Sequence, residues 1–479
     1  MSDGDCGFGV FGLGTMGAAL ALNVAERGLT VALHNRTAEK AGELASRHPR
    51  LLLRPCPTPA AFVAAIAPPR RILLMVPAGE ATDAALEQLV PLLARDDIVA
   101  DGGNAHFADT ARRAAALAGR GLHWLGCGVS GGEEGARHGP SIMAGGEPGA
   151  YETFAPVLTA IAARTASGPC VARVGPGGAG HFVKMVHNGI EYGVMQLIAE
   201  TWDLLRRGLR FEAPGAAAVF DAWNRGPLES FLVELSARVL KARDAETGGA
   251  LVDVVADAAS QKGTGRWTIE SALALGVPVP TLSAAVEART LSSQVELRRR
   301  AAEALPATAG GAAAQSGTAR LPGDADAWVD ALHDALHAGM LAAFAQGLQL
   351  VQAGSVEHAW DVDRAELARI WTGGCIIRAR MLGTIRQAWL DRPQLEHLLL
   401  DPRVAETLKD TLPRLRRVVA AAAELGVPAP AFAASLAWCD GLRCTALPTS
   451  LIQAQRDAFG AHTYRRKDHP ERGPQHSAW

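Results

Sequence analysis

Net charge, cysteine and long apolar runs are all scarce in this sequence, and each shortage excludes something. Lys and Arg number 47 against 49 Asp and Glu, a formal charge of −2 at pH 7. No global field therefore draws the chain to a nucleic acid or a membrane surface, and any anion site must be local. Seven cysteines, an odd number without C-x-x-C spacing, speak against a disulfide framework and a zinc site, so buried, reduced thiols and no metal are expected. No apolar stretch reaches the ~20 residues that span a bilayer. The opening Met1-Ser2-Asp3-Gly4-Asp5 is acidic and lacks the basic segment and apolar core of a secretion signal. The expectation is a soluble cytoplasmic protein with neither a membrane nor a nucleic-acid partner.

What is present is ordinary globular material, 48% hydrophobic and 20% charged over 479 residues. At roughly 150 residues per domain this length suggests two or three domains. Phe8 to Phe11, Thr30 to His34, Arg71 to Val76, Asp97 to Asp101 and Leu122 to Cys127 read as strands alternating with alanine-rich helical stretches, the pattern of a parallel α/β sheet. After Gly175-Pro176-Gly177-Gly178-Ala179-Gly180 strand signals fade, and segments such as 181–208 and 228–242 carry helical periodicity. The expected organisation is an α/β Rossmann-type domain over 1–178, a large all-helical domain over 179–434, and a C-terminal tail over 435–479. Residues 306–323, rich in small side chains, read as a surface loop.

Gly12-Leu13-Gly14-Thr15-Met16-Gly17 follows the first strand and opens a helical stretch, the context a G-x-G-x-x-G dinucleotide fingerprint requires. Such glycines let the backbone approach a pyrophosphate, whose charge then sits at the positive end of the helix. The second strand ends in Asn35-Arg36-Thr37, where an NAD enzyme usually carries an acid for the ribose 2′-hydroxyl. An uncharged residue followed by arginine, able to pair with a 2′-phosphate, favours NADP.

Lys184, His187, Asn188 and Glu191 fall at i, i+3, i+4 and i+7, so one helix face presents all four, followed by Met195, Ile198 and Trp202. A face that turns from polar to apolar is hard to place in solvent, and its polar half then lines a cavity. A lysine and a glutamate two turns apart supply two proton-transfer groups. Scattered surface charges on an ordinary helix are the alternative from spacing alone.

Other segments weigh against that alternative. Asp101-Gly102-Gly103-Asn104, Val129-Ser130-Gly131-Gly132-Glu133-Glu134-Gly135-Ala136, Lys184 to Tyr192, Gln261 to Thr268, Arg289 to Ser293, Gly373 to Arg378 and Leu451 to Asp457 closely resemble, in order, segments of the 6-phosphogluconate dehydrogenase family. The resemblance implies oxidative decarboxylation of 6-phosphogluconate to ribulose 5-phosphate and carbon dioxide with reduction of NADP, in a homodimer whose tail completes the neighbour's active site. It implies Lys184 and Glu191 as the catalytic pair, and substrate contacts from Asn104, Ser130, Gly131, Gly132, His187, Asn188, Tyr192, Lys262 and Arg289, with Arg456 and His462 from the other subunit. Around the cofactor it implies the glycine turn, Asn35 to Thr37, Val76, Pro77, Ala78 and Asn104.

The chain departs from the family pattern at Pro77, where lysine is usual, so one cation near the cofactor is lost and use of NAD becomes more plausible. Gly14 replaces a common alanine, and Arg266 a lysine. The competing readings are another β-hydroxyacid dehydrogenase, whose shorter chain lacks the tail, and an NADP-binding protein without activity.

Overall fold

Strands buried on both faces read as continuous apolar runs, and Phe8–Phe11, Val31–His34 and Ile98–Asp101 are buried at every position. The computed structural model describes residues 4–261, 263–305 and 320–479. Ten strands are present among them: β1 Phe8–Phe11, β2 Val31–His34, β3 Leu53–Pro55, β4 Arg71–Leu74, β5 Ile98–Asp101, β6 His123–Ser130, β7 Ser141–Gly145, β8 Arg164–Thr165, β9 Gly168–Pro169 and β10 Val171–Gly175. Eight form one sheet in the order β10-β7-β6-β5-β4-β1-β2-β3, while β8 and β9 make a separate hairpin. Every pairing in the large sheet is parallel except β6 with β7. The expected strands are all present. The sequence reading missed β3 and β7 to β10, which are two to five residues long and give too little alternation to register.

Sheet order decides where a ligand can sit. The chain runs outward from β1 to β2 and β3, then returns to the other flank of β1 as β4. Reversal of direction at β1 leaves a crevice beyond the carboxyl ends of β1 and β4, the usual ligand position in an open parallel sheet.

Beyond β10, Gly175 (φ 148°) and Gly177 (φ 53°) turn the chain into a 31-residue helix, Ala179–Leu209, which ends where Arg210 adopts a left-handed conformation. This helix lies directly against β6 because the facing residues are glycines. A Cβ on Gly180 would stand 2.1 Å from the Gly126 carbonyl oxygen, and one on Gly128 would stand 2.4 Å from Lys184 Cβ. The 33-residue helix Ala325–Glu357 packs along it equally closely, Ile190 filling the space that a side chain on Gly347 would need. One apolar core runs from these two helices onto Met143, Ala172 and Val174 of the sheet.

Helix Pro430–Leu442 spans the boundary expected at residue 435, and the exposed helix Thr449–Gly460 follows it. Of the loop expected over 306–323, residues 306–319 lie outside the described ones, and Leu321 is buried. Six cysteines are buried as expected. Cys444 is exposed instead, because it sits just past the end of the last core helix. Among the described residues no helix is long and apolar enough to cross a membrane.

Candidate active site

The glycine turn after β1 is shaped by close approach. Gly12 has φ 101°, and a Cβ there would meet the Met75 carbonyl oxygen at 2.5 Å, while one on Gly17 would meet the Gly12 carbonyl oxygen at 2.1 Å. Around Gly14 there is open space. Helix Thr15–Glu26 starts there without a side-chain cap, so its first N–H groups remain available to an anion. Asn35 ties the turn to the end of β2: it accepts from Leu13 N–H at 2.9 Å and donates to the Thr37 carbonyl at 3.1 Å.

A cavity of about 540 Å³ opens here, lined by Gly12, Gly14, Asn35, Arg36, Thr37, Val76 and Pro77 among others. Leu13, Thr15, Met16 and Gly17 continue the turn into the helix Thr15–Glu26, and Ala78 and Asn104 follow on the loops after β4 and β5. A glycine cradle, an uncapped helix start and an exposed arginine fit a phosphorylated dinucleotide. Lys40, which sequence reasoning passed over, also lines the cavity. Its signal was position alone, one helical turn beyond Thr37.

Lys184, His187 and Asn188 are buried in the midst of the long helix. The polar stripe expected from spacing is therefore interior. Residues on one face of β6 supply its floor: Gly128 underlies Lys184, and Ser130 Oγ lies 3.0 Å from His187 Nε2. Lys184 Nζ donates to Asn188 Oδ1 at 2.8 Å and stands 3.4 Å from His187 Nδ1. Asn188 Nδ2 donates to Thr264 Oγ1 at 3.2 Å. Thr264 is a second residue the sequence did not reveal, since it comes from a helix 76 positions away. His187 Nδ1 also faces Asn188 Oδ1 at 3.2 Å and Glu191 Oε2 at 4.0 Å. With the proton on Nδ1, toward Asn188 Oδ1, Nε2 is left to accept from the Ser130 hydroxyl.

Burial controls the charges. It lowers the Lys184 ammonium below its ordinary range, against Glu191 and Cys375, which hold the proton on. It lowers His187 well below its usual value, helped by Lys184 and opposed by the Asn188 hydrogen bond. It raises Glu191, with Lys184 and Arg289 opposing. Desolvation disfavours the charged form of each group, so a neutral lysine and a protonated glutamate become accessible on one helix. Such a pair can accept a proton at one point and deliver one at another.

Further along, the Arg289 guanidinium stacks over the Tyr192 ring at 3.5 Å from its centroid. Gly131 and Gly132 both have positive φ, and a Cβ on Gly131 would strike the Gly374 carbonyl oxygen at 2.6 Å. Lys262 lies outside the described residues. Arg456 and His462 belong to the exposed C-terminal segment, where they meet Gln453 and Phe459. Beyond Glu191, Ile198 is buried, but Met195 is 40% exposed at the edge of an apolar recess with Trp202, Leu235 and Val239. The apolar half of the helix face is thus only partly covered within this chain.

Two family descriptions together match nearly the whole chain: the NAD binding domain of 6-phosphogluconate dehydrogenase over residues 7–175, and the 6-phosphogluconate dehydrogenase C-terminal domain over 180–479. A decarboxylating 6-phosphogluconate dehydrogenase of Synechococcus elongatus is 48% identical over 98% of this chain and 99% of its own length. A relative in Bacillus subtilis, described as NADP(+)-dependent and decarboxylating, is 44% identical over 98% of both chains. The structure of the Plasmodium falciparum 6-phosphogluconate dehydrogenase, described with NADP+ and with 6-phosphogluconate, superposes with a TM-score of 0.92 at 37% identity, covering 99% of this chain and 100% of the other. The chain belongs to the 6-phosphogluconate dehydrogenase family.

Proposed function

We propose that this protein oxidises and decarboxylates 6-phosphogluconate to ribulose 5-phosphate and carbon dioxide, with reduction of NADP, and that Lys184 and Glu191 move the protons. The observation that carries the assignment is the buried Lys184, held by Asn188 at 2.8 Å on the same helix as Glu191. When bound in the cleft beside Gly12 to Gly17, the oxidised nicotinamide supplies a hydride acceptor. Neutral Lys184 accepts the C3 hydroxyl proton as the hydride on C3 leaves to that acceptor, giving a 3-keto acid that is prone to lose carbon dioxide. The lysine, now charged, returns its proton to the developing enolate oxygen. Protonated Glu191 then delivers a proton to C1 of the enediol.

Asn104, the Ser130-Gly131-Gly132 turn, His187, Asn188, Tyr192 and Arg289 are assigned to the substrate, together with Lys262. Donors and cations of this kind suit a carboxylate and a phosphate. Arg36, Asn35 and Thr37 are assigned to the adenosine end, with Val76, Pro77 and Ala78 beside them. Lys40 offers a cation where Pro77 does not.

We assign Arg456 and His462 to the active site of a second copy in a homodimer. Support comes from apolar surface left open, including Met195, Val255, Leu451, Ile452 and Phe459. Exposed apolar area on this scale marks an association surface. Unpaired cysteines fit a reducing compartment, and we place the protein in the cytoplasm.

The test is reduction of NADP and of NAD by purified protein with 6-phosphogluconate, following both products, beside Lys184→Ala. NADP turnover that yields ribulose 5-phosphate and carbon dioxide, and that disappears in the variant, is expected. Turnover with NAD alone would overturn the Arg36 assignment, and no turnover with either would overturn the reaction.

A further inference from the structure

One turn before Lys184, His181 is buried at 1% exposure. Its Nδ1 lies 2.6 Å from Thr110 Oγ1 on helix Phe107–Ala118, and Thr110 Oγ1 donates to the His106 carbonyl at 3.2 Å, where the loop that follows Asp101 enters that helix. Gly126 makes the room, since a Cβ there would stand 2.6 Å from Thr110 Cγ2 and 3.0 Å from His181 Nδ1. Asp101 Oδ1 accepts from Gly103 N–H at 2.9 Å, at the start of the loop that ends in Asn104.

Three atoms in this small region, Asp101 Oδ2, His181 Nε2 and Arg113 Nη1, are buried without a hydrogen-bond partner among the described residues. Each such atom costs about 1–3 kcal/mol, and well-packed apolar side chains would serve stability at least as well. Stability therefore does not account for the cluster. Its connections suggest what does. Arg113 pairs through Nε with Asp83 Oδ1 at 2.8 Å and donates through Nη2 to the Gly79 carbonyl at 3.0 Å, on the loop that borders the cofactor cleft. Thr82 Oγ1 donates to the Pro77 carbonyl at 3.2 Å on the same loop. Asp101 acts electrostatically on both Arg113 and His181, so polar groups are placed between the loop bordering the cleft and the helix that carries Lys184.

We propose that His181 is a positioning residue: with Thr110 and Asp101 it fixes the Gly102–Asn104 loop against the catalytic helix, so that the cofactor side and Lys184 keep one relative placement. The proposal rests on the assignment of Lys184 as proton acceptor. A misplacement of about 1 Å at a reacting centre costs on the order of 10²-fold in rate, which is the effect such a device would prevent.

The experiment compares Thr110→Val, which keeps the side-chain shape, His181→Leu, and His181→Gln, which retains an N–H donor toward the loop. Amide exchange in the free protein is expected to quicken at Gly103 and Asn104 in the first two. Their kcat should fall about 10- to 100-fold while KM and the NADP Kd move less than about threefold, with a larger isotope effect on C3-deuterated substrate. His181→Gln should recover most of the exchange protection and the rate. Unchanged exchange and kcat in Thr110→Val would overturn the proposal, as would a fall in Tm with normal kcat. Should His181→Leu fail to fold, Thr110→Val decides. If the wild-type protein does not oxidise 6-phosphogluconate, the reaction assignment fails, while the exchange measurement still judges the loop contact.

Discussion

Arg36 and Lys184 are both cations assigned to a ligand, yet they occupy opposite physical regimes. Arg36 and Lys40 are exposed beside the dinucleotide cleft, where water and salt screen them and neither has to change protonation state. Lys184 is buried among polar groups on a helix core, where desolvation moves its proton affinity. The first arrangement can grip a phosphate but does little chemistry. The second can do chemistry because holding its charge is costly.

The sharpest way to break this contrast is to remove the buried pair. Lys184→Ala should lower kcat by roughly 10²- to 10⁴-fold, measured under saturating substrate. Glu191→Gln should fall in the same range, and pH adds a signature. With Lys184 lowered and Glu191 raised, kcat/KM should rise as pH climbs through the lysine and fall as it climbs through the glutamate. A profile of Glu191→Gln that still shows the alkaline fall would show that another group causes it.

A smaller effect comes from the floor of the site. Gly128→Ala places a Cβ 2.4 Å from Lys184 Cβ and must displace the helix or the strand, so kcat should drop about 10²-fold on the cost of a misplacement near 1 Å. Gly14→Ala meets open space at an ordinary φ of −70°, and NADP affinity should change less than about twofold, since surface substitutions stay within roughly 0.5 kcal/mol. Equal effects from the two substitutions would undo the distinction between packed and open glycines.

Glu200 tests burial away from the site. Its carboxylate accepts from Ala431 N–H at 2.8 Å and Phe432 N–H at 2.9 Å, capping helix Pro430–Leu442. Burial pushes it up to about 7, although these bonds oppose the shift. A carboxyl raised in the folded state stabilises below its unfolded value and loses that contribution as pH rises through about 7. Relative to wild type, Glu200→Gln should therefore gain on the order of 3 kcal/mol between pH 4 and pH 8, read from urea unfolding at both pH values. No pH-dependent difference would mean the carboxylate is well solvated. At the exposed end of the contrast, Arg36→Ala and Lys40→Ala should each weaken NADP binding by about 1 kcal/mol or less, at most roughly fivefold, and less at high salt. A far larger loss would move Arg36 into the buried regime.

Much of this was legible before any coordinates. G-x-G-x-x-G after an apolar run marks a strand, a turn and a helix because only glycine tolerates the approach seen at Gly12 and Gly17. The Lys184 to Glu191 stripe appeared through helical periodicity, a local property. Thr264, Lys40 and the Thr110–His181 contact were not legible, because each joins parts of the chain through tertiary packing or an unremarkable position beside a motif. Even the apolar continuation of the stripe was read only in part, since Met195 remains open at the surface.

By itself, then, the sequence determined the alternation of strands and helices, the dinucleotide turn and the order of polar groups on one helix, all of which follow from backbone sterics and side-chain spacing. Tertiary structure decided that the polar stripe faces inward over Gly126, Gly128 and Ser130 of β6. That decision also sets the proton affinities, because desolvation depends on everything packed around a group and not on its neighbours in the chain.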